Sequence, residues 1–580
     1  MWNYAKKYLY FAIPAALFMV GEVSMDLLQP GLMRQIVDDG VLKLDASGAG
    51  GLELIVRLGL IMILLVLFGG ACGALNNMFV HLTSQNIGNE IRKDCFRRIM
   101  TFSFPQMDRF GTGSLVTRVT NDITQVQNLA AQFVRGMIRT TMLMGGSIFC
   151  MFRLNRQFGW MLLCAFPLLA GCMGLCLYKA GPQLLRLQEQ LDRINSILQE
   201  DVSGIRVIKA CVREGYEKLR FGKANDALVG TQLHVLMIFA FMNPVMNALM
   251  YIVVALLVLS GSYQVAAGTT TPGTIMAAIT YTTQMLNGIL NLVMLFQTIS
   301  KGIASWKRVR EVLGSQPELA DGSFEGETAK TRGSIAFRDA SFGFPGTGRT
   351  VLRHINLTIR PGETVAIMGA TGCGKSALVG LIPRFYDVTA GSVLVDGVDV
   401  REWRQKALRD RVAVAAQKSE LFSRSIRENI AWGDPGASEE ALRAAAKAAQ
   451  ADGFISAAPE GYDTLVAEQG NSLSGGQKQR LSIARAVLKP AEILIFDDST
   501  SALDLKTEAD LYGALNAARP EATKLIVAQR IASVRQADRI VVLRDGQVEA
   551  CGTHDVLLRS CKTYQDIYCS QIGEEGTDNG

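Results

Sequence analysis

The sequence predicts an α-helical membrane bundle of six long transmembrane helices, followed by an α/β domain with a mainly parallel sheet. Of the 580 residues, 49% are hydrophobic and only 19% are charged. The uncharged apolar runs are concentrated before residue 300, and short apolar strands alternate with helical patterns after residue 333, as in α/β domains. This composition excludes a disordered or collagen-like chain and argues against a purely soluble enzyme.

The six spans are predicted from apolar runs of about 20 residues, the length that crosses the hydrocarbon core of a bilayer. The first run begins at Tyr8 and continues to about Leu28 despite two carboxylates, Glu22 and Asp26. The other runs are Leu58–Val80, Leu129–Phe152, Gln157–Tyr178 and, long enough for two spans, Ala227–Ser300. The third span is the weakest candidate because it contains two arginines.

The charges of the loops predict the orientation in the membrane. The loops after the second and fourth spans are rich in Lys and Arg, whereas the loop after the fifth has none. Basic loops stay in the cytoplasm, so we expect a multi-pass protein with both termini cytoplasmic. No secretory signal peptide fits, because no small-residue cleavage site follows the first apolar run.

Changes in composition predict the domain boundaries. We expect a transmembrane domain with cytoplasmic helical extensions at 1–313, a linker at 314–332, the α/β domain at 333–570 and a solvated tail at 571–580. The eleven cysteines show no paired spacing, which gives no disulfide framework or zinc site. The net charge of +6 is modest for this length, and we expect no nucleic-acid partner.

A glycine-rich segment after the strand Thr364–Met368 fits the pattern G-x-x-x-x-G-K-[ST]. Its residues are Gly369, Ala370, Thr371, Gly372, Cys373, Gly374, Lys375 and Ser376. Such glycines let backbone N–H groups close around phosphate, and the helix that follows favours the anion. We expect Lys375 to reach the β- and γ-phosphates of ATP and Ser376 to bind Mg²⁺. The α/β domain is therefore predicted to be a P-loop ATPase domain.

A second apolar strand, Glu492–Asp498, ends in two adjacent carboxylates. In isolation this pattern is common for a strand that ends at an Asp turn. In a domain that also contains a P-loop, the pattern predicts that Asp497 belongs to the Mg²⁺ site.

Further motifs resemble those of ABC transporter ATPases. Leu473-Ser474-Gly475-Gly476-Gln477 resembles the signature motif, and Ser501-Ala502-Leu503-Asp504 resembles the D-loop. Gln417 resembles the Q-loop glutamine, which implies a role at the metal, and Phe344 stands where the family usually has a Tyr that stacks on adenine. Six spans followed by one such domain resemble an exporter-type half-transporter, and this resemblance covers essentially the whole chain.

The resemblance implies a dimer with two ATP molecules, each held by the P-loop of one chain and the signature motif of the other. It therefore implies ATP and Mg²⁺ as cofactors and nucleotide contacts from residues 474–477 and Asp504. It also implies location in a cell membrane, here the bacterial inner or plasma membrane, and export of small hydrophobic or amphipathic molecules.

Two positions differ from the family pattern at the catalytic centre. Asp498 stands where the family uses a Glu to activate water, and Gln529 stands where it uses the switch His. Asp is one methylene shorter than Glu. An error of ~1 Å in position can cost ~100-fold, and a missing general base costs ~10²–10⁴-fold. Gln529 cannot carry the charge of an imidazolium. The alternative is that Asp498 still works after a rearrangement.

In the family, this pattern occurs in heterodimers in which the partner has the Glu and His. The resemblance therefore implies a degenerate-site subunit that donates its signature motif to the partner's catalytic site, and a partner signature that departs from LSGGQ. Rival hypotheses are a homodimeric exporter with slow ATPase activity, a lipid or peptide exporter with the same ATPase, and a nucleotide-gated channel or regulatory membrane protein.

Two groups of residues are candidates for coupling and for substrate binding. The cytoplasmic segments 104–118 and 210–221 resemble those that contact the nucleotide domains, and 466–469 resembles a segment that senses them. Glu22 and Asp26 lie four residues apart on one helix face, and intramembrane carboxylates are costly. Glu22 is thus a candidate cation or substrate site; the rival hypotheses are a position near the distal mouth of the cavity and pairing with Arg135 or Arg139.

Overall fold

The computed structural model describes residues 1–42, 49–326, 332–467, 470 and 472–572. The chain forms two compact units. The first contains Met1–Met100 and Gly113–Ser315, and the second contains Thr101–Thr112 and Gln316–Gly580. The short segment 101–112 therefore groups with the second unit, although the sequence placed it in the transmembrane domain.

The first unit is entirely helical in its described residues. Its α-helices are Trp2–Lys7, Leu9–Gln35, Ala49–Ile99, Thr112–Thr117, Ile123–Gln132, Ile138–Leu154, Arg156–Ser203, Ile205–Ala210, Glu214–Ala266 and Pro272–Gly314, and its π-helical turns are Ile36–Val41, Arg118–Asp122 and Phe133–Met137. The long helices include the basic segments after the second and fourth apolar runs, as the sequence predicts.

Five helices of the described ranges are long and apolar enough to cross a bilayer. They are Leu9–Val41, Gly51–Ile99, Arg156–Ser203, Glu214–Ala266 and Pro272–Gly314. The predicted third span, Leu129–Phe152, is divided by the π-helical turn Phe133–Met137 and contains Arg135 and Arg139. Six spans remain a prediction.

The first long helix buries one face and exposes the other. Its buried apolar residues recur every fourth position, at Ala15, Met19, Val23 and Leu27, which is the helical repeat of a packed face. On the second helix, Leu60, Leu64 and Leu67 are more than half exposed. Exposed leucines at this density are expected of a surface that faces lipid.

The second unit contains two sheets. Its strands are β1 (Ile335–Phe342), β2 (Leu352–Ile359), β3 (Thr364–Gly369), β4 (Ala390–Val395), β5 (Val398–Asp399), β6 (Val412–Ala415), β7 (Ile493–Asp497), β8 (Thr523–Val527), β9 (Arg539–Arg544) and β10 (Gln547–Gly552). The four-stranded sheet has the order β2-β1-β4-β5 and is antiparallel. The six-stranded sheet has the order β10-β9-β3-β8-β7-β6 and is parallel except for β10. The fold is thus a mixed α/β domain whose central sheet is mainly parallel.

Helices pack against both faces of the six-stranded sheet. One core contains most of them, and the other contains the four-stranded sheet together with the helices Lys375–Gly380 and Gln405–Asp410. The helices are Phe104–Phe110, Lys375–Gly380, Gln405–Asp410, Ile426–Ala431, Glu439–Ala448, Asp452–Ser456, Gly475–Leu488, Leu505–Ala518, Ile531–Val534, His554–Ser560 and Lys562–Ile572, with a 3₁₀ turn at Gly461–Asp463. Along β3, Val365 and Ile367 pack in the core shared with the antiparallel sheet, and Ala366 and Met368 pack in the opposite one. This alternation follows from the two-residue repeat of a strand.

Two segments differ from the domain boundaries expected from the sequence. Part of the expected linker is packed, because the ring of Phe324 contacts the buried Trp403 with ring centroids 4.7 Å apart. The expected tail begins too early, because the last helix continues to Ile572. Residues 327–331 of the linker and 573–580 of the tail lie outside the described residues.

Candidate ATP site

The glycine-rich loop leaves the carboxyl end of the central strand β3. Three of its glycines have positive φ, with 149° at Gly369, 81° at Gly372 and 103° at Gly374. A Cβ atom at Gly369 would lie 2.2 Å from the carbonyl oxygen of Leu543. The loop conformation therefore requires glycine, and such loops direct backbone N–H groups at phosphate oxygens.

Lys375 is buried at the base of this loop. Its Nζ donates hydrogen bonds to the carbonyl oxygens of Gly369 at 2.8 Å and Ala370 at 2.9 Å. The third ammonium proton faces the Cys373 sulfur at 4.0 Å, a weak acceptor that a phosphate oxygen can replace. The side chain thus closes the loop on itself and keeps a positive charge at the expected phosphate position.

Ser376 lies in the helix that follows the P-loop, and it contacts Asp497 at the end of β7. The Ser376 hydroxyl donates a hydrogen bond to Asp497 Oδ1 at 2.9 Å. Burial raises the pKa of the Asp497 carboxyl above its ordinary value, and the neighbouring charge of Asp498 raises it further, against the opposing effects of Ser376 and Lys375. A partly buried carboxylate beside a hydroxyl is the oxygen donor set that suits Mg²⁺, and a cation there relieves the repulsion between the two carboxylates.

The described residues contain no cluster of three or more His, Cys, Asp or Glu side chains that could hold a metal alone. At ATP sites Mg²⁺ is usually bound by one or two protein oxygens together with phosphate oxygens and water. Gln417 follows β6 but its amide is directed to Asp498 rather than to Ser376 or Asp497.

Asp498 is fixed by two side-chain amides. Its Oδ2 accepts hydrogen bonds from Gln417 Nε2 at 3.1 Å and from Gln529 Nε2 at 3.0 Å. The residue is 8% exposed, and its backbone lies in the left-handed region with φ 47°. A carboxylate oxygen has about two acceptor positions, so both positions of Oδ2 are occupied by amide donors. The two residues that differ from the family pattern are therefore direct partners.

The signature residues form the start of the helix Gly475–Leu488. Ser474 and Gln477 form a capping box, with Ser474 N–H donating to Gln477 Oε1 at 2.9 Å and Gln477 N–H donating to Ser474 Oγ at 3.3 Å. Ser474 and Gly475 are exposed. The intact cap presents this helix start as a surface that can accept a partner's nucleotide.

The signature helix is joined to the D-loop. Gln479 donates to Ser501 Oγ at 3.1 Å and accepts from Ala502 N–H at 2.9 Å. A Cβ atom at Gly476 would lie 3.1 Å from the Ala502 carbonyl oxygen. Asp504 caps the following helix by accepting a hydrogen bond from Thr507 N–H at 3.0 Å. Movement of either segment must therefore displace the other.

Phe344 lies in the loop after β1 and is 38% exposed. Its ring makes edge contacts with Phe342 at 5.0 Å and Tyr386 at 5.4 Å between ring centroids. A supported ring with one exposed face is suited to stacking on a base. Its role toward adenine remains a prediction.

Glu508 and Gln571 are parts of the site that the sequence did not indicate. Glu508 is 3% exposed and accepts hydrogen bonds from Thr500 Oγ1 at 2.6 Å, Ser533 Oγ at 2.5 Å and Arg530 at 3.2 Å. It joins the helix after the D-loop to the segment after Gln529. Neither residue lies in a motif, and only the fold brings their partners together.

The helix Phe104–Phe110 packs on residues that follow the P-loop helix. The Phe104 ring lies 4.4 Å from that of Phe385, and Tyr386 donates a hydrogen bond to Asp108 Oδ2 at 2.9 Å. Burial, with this hydrogen bond, raises the pKa of Tyr386 to about 12. Gln106, 1% exposed, donates to the Gln316 carbonyl oxygen at 2.7 Å. The part of the first candidate coupling segment that belongs to the second unit, 104–112, is thus packed on the nucleotide-binding fold. The second, 210–221, runs from the end of the helix Ile205–Ala210 into the start of Glu214–Ala266, in the first unit.

We expect Phe104→Ala to reduce substrate stimulation of ATPase activity about threefold, because an aromatic pair contributes ~0.5–1.5 kcal/mol beyond its buried area. Basal activity should be retained. The measurement is the ratio of stimulated to basal ATPase in proteoliposomes. Tyr386→Phe, which keeps its ring, should have a smaller effect. Full stimulation of the Phe104→Ala variant would show that this contact does not carry coupling.

Glu22 and Asp26 are paired in the first unit. Arg139 forms an ion pair with Glu22 and lies 3.6 Å from Asp26 Oδ2, whereas Arg135 donates a hydrogen bond to Asn77. Of the alternatives left open by the sequence, the structure favours pairing with Arg139. Glu22 Oε2 is buried and has no hydrogen-bond partner among the described residues, so a substrate role for Glu22 stays a prediction.

Comparisons with known proteins agree with this architecture. Residues 13–289 match the ABC transporter transmembrane region, and residues 352–501 match the ABC transporter family. The uncharacterized ABC transporter ATP-binding protein YfiB of Bacillus subtilis is 37% identical over 578 residues, which cover 100% of this chain and 99% of YfiB. An ATP-dependent lipid A-core flippase of Syntrophus aciditrophicus is 35% identical over 544 residues, covering 94% of this chain and 89% of the flippase.

A solved structure of a bacterial Atm1-family ABC exporter with ATP bound has a similar fold. The TM-score is 0.81 at 26% sequence identity, and the match covers 97% of this chain and 99% of that one. The helical membrane domain, the P-loop domain and their order along the chain are shared. The chain therefore belongs to the ABC transporter family, as an exporter-type half-transporter with an ATPase domain fused to a multi-pass membrane domain.

Proposed function

We propose that this chain is the degenerate-site subunit of a heterodimeric exporter. The observation that carries this proposal is the geometry of Asp498, whose Oδ2 accepts hydrogen bonds from both Gln417 and Gln529. A general base needs a free lone pair within hydrogen-bond reach of the attacking water. This carboxylate is short, buried and already engaged at one oxygen, and the imidazole that the family places opposite it is replaced by an amide.

The remaining residues suit binding of ATP more than its hydrolysis. The P-loop amides and Lys375 would hold the phosphates, and Ser376 and Asp497 would hold Mg²⁺. The metal would neutralise charge on the β- and γ-phosphates. The chain's own site would thus retain nucleotide and stabilise contact between the nucleotide-binding domains.

The signature motif supports a role at the partner's site. Its capping box is intact, and Ser474 and Gly475 are exposed. ABC exporters act as dimers, and the family arrangement places this motif on the ATP of the other chain. Hydrolysis would therefore occur where the partner supplies the Glu and His and this chain supplies residues 474–477.

We infer that the substrate is a hydrophobic or amphipathic molecule that enters from the cytoplasm or the inner leaflet. The membrane unit exposes long apolar helix faces suited to contact with lipid. The relatives named as lipid A-core flippases favour a lipid-like substrate as a specific alternative. We further propose that both termini are cytoplasmic, because loops rich in Lys and Arg generally stay on the cytoplasmic side of the membrane.

A homodimeric exporter with slow ATPase activity is the second candidate. The match of this chain to YfiB and to one chain of the Atm1-family exporter over nearly their whole length is equally compatible with two identical subunits. In that arrangement both sites would be equivalent, and Asp498 with Gln529 would form a working variant of the catalytic pair.

Purification from native membranes in mild detergent, followed by mass spectrometry, separates these candidates. We expect a second half-transporter in equal amount, with Glu and His at the positions that correspond to Asp498 and Gln529. A preparation that contains this chain alone and hydrolyses ATP would contradict the heterodimer. A chain that binds ATP without substrate transport would instead indicate a gated or regulatory membrane protein.

A further inference from the structure

The last helix of the described chain, Lys562–Ile572, ends against the segment that carries Gln529. The Gln571 side chain makes two hydrogen bonds to this segment. Its Nε2 donates to the Gln529 carbonyl oxygen at 2.6 Å, and its Oε1 accepts from the Ile531 N–H at 2.8 Å. One amide therefore holds the backbone on both sides of Arg530.

The helix that carries Gln571 is firmly docked. Tyr564 is fully buried, and its hydroxyl is hydrogen-bonded to His554 Nδ1 at 2.7 Å. Cys561, just before the helix, is 3% exposed. Gln565 Nε2 donates to the Leu558 carbonyl oxygen at 2.7 Å. These contacts fix the helix to the preceding one, so the position of Gln571 is set by packed structure.

Space is available beside the Gln529 segment. A cavity of about 650 Å³ lies next to it, with a lining that includes Asp498, Gln529, Arg535, Tyr568 and Gln571. Packed interiors resist small displacements, but a segment next to such a cavity can shift once its hydrogen bonds are lost. The two bonds from Gln571 oppose this shift.

We propose that Gln571 is a positioning residue that holds the Gln529 segment in place, so that the C-terminal helix controls how long this chain's ATP site retains nucleotide. The contacts form a continuous series. Gln571 binds the backbone of Gln529, and the Gln529 amide donates to Asp498 at 3.0 Å. Asp498 is adjacent to Asp497, which is hydrogen-bonded to Ser376 in the P-loop. This inference goes beyond the proposed function, because it holds whether the site hydrolyses ATP slowly or quickly.

The test uses the full-length transporter and measures release of photoreactive azido-ATP from this chain, isolated by an affinity tag after cross-linking at successive times. We expect Gln571→Leu to release nucleotide about five- to tenfold faster, since two hydrogen bonds that fix the segment are lost. Hydrogen exchange at the Ile531 amide should accelerate, because its acceptor is removed. Unchanged release would overturn the proposal.

Two variants separate positioning from a loss of stability. Gln565→Leu removes a side-chain hydrogen bond from the same helix without contact to the Gln529 segment, and it should release nucleotide at the wild-type rate. Gln571→Glu keeps an acceptor for Ile531 but loses the donor to the Gln529 carbonyl, and its release should lie between wild type and Gln571→Leu. Wild-type release from Gln571→Glu, or equal acceleration by Gln565→Leu, would contradict a role for the Gln529 contact.

A double-mutant cycle tests whether Gln571 acts through Gln529. In a Gln529→Ala background, Gln571→Leu should change nucleotide release less than about twofold, because the side chain that it positions is absent. An effect of the same size in both backgrounds would show that Gln571 supports the fold only. Because label is followed on this chain alone, either result is independent of whether the partner is a second type of subunit.

Discussion

Replacing Asp498 by Glu and Gln529 by His together should raise ATP hydrolysis at this chain's own site by about tenfold to 100-fold. The longer carboxylate would reach farther toward the water that attacks the γ-phosphate. A displacement of ~1 Å in a catalytic group can change the rate ~100-fold. The imidazole would replace the amide that now occupies Asp498 Oδ2 at 3.0 Å. The measurement is single-turnover conversion of ATP to ADP bound to the tagged chain.

Two further variants provide the controls for this experiment. Gln529→His alone should have a small effect, because the short carboxylate of Asp498 remains bonded to Gln417 at 3.1 Å. Asp498→Asn with Gln529→His should give no gain, because an amide cannot accept a proton from water at neutral pH. If Asp498→Glu with Gln529→His hydrolyses ATP no faster than wild type, these two residues do not limit the rate of hydrolysis at this site.

Gly476→Asp should reduce ATPase activity and transport by the complex about 100-fold or more. A loss of this size is expected when an interaction that stabilises charge in the transition state is removed. A side chain there meets the Ala502 carbonyl oxygen and the Leu503 side chain within 3.2 Å. The added carboxylate would also stand at the helix start that is expected to face the partner's ATP, where it would repel phosphate.

Lys375→Ala provides the matched comparison in the same chain. It removes the buried ammonium from this chain's own P-loop and should reduce ATPase activity less than about tenfold, because turnover is assigned to the other site. Both variants are compared by ATPase rate in the purified complex after thermal unfolding shows that each is folded. Equal losses would indicate two equivalent sites and would favour the homodimer.

Local patterns were sufficient to predict the phosphate site. The loop from Gly369 to Ser376 and the two carboxylates at the end of β7 are contiguous motifs, and the parallel strands bring them to one edge of the sheet. The sequence also indicated that Asp498 and Gln529 belong together, although they are separated by 31 positions, because both differ from the family pattern.

The parts that were not predicted depend on contacts between distant residues. β10 is a short strand at the edge of the six-stranded sheet, where it pairs with β9, and its six residues include a single large apolar side chain, Val548. Phe324 appeared to belong to a linker because its partner, Trp403, is 79 positions away. Gln571 was assigned to a solvated tail for the same reason, since its partners near Gln529 become neighbours only when the last helix docks.

The first long helix shows where composition alone gives too little information. Its two carboxylates indicated a cation or substrate site, but Arg139 from another helical segment forms ion pairs with both. Charged groups inside a membrane are most often paired with one another. The sequence offered this pairing as an alternative, and side-chain geometry was needed to favour it.

The most direct test of the central claim is the state of the nucleotide on this chain during turnover. The purified complex is supplied with photoreactive azido-ATP that is labelled on the γ-phosphate, cross-linked after several turnovers and denatured, and the tagged chain is then isolated. We predict that this chain retains the γ-label while the complex as a whole releases phosphate. Loss of the γ-label from this chain at the turnover rate of the complex would contradict a degenerate site.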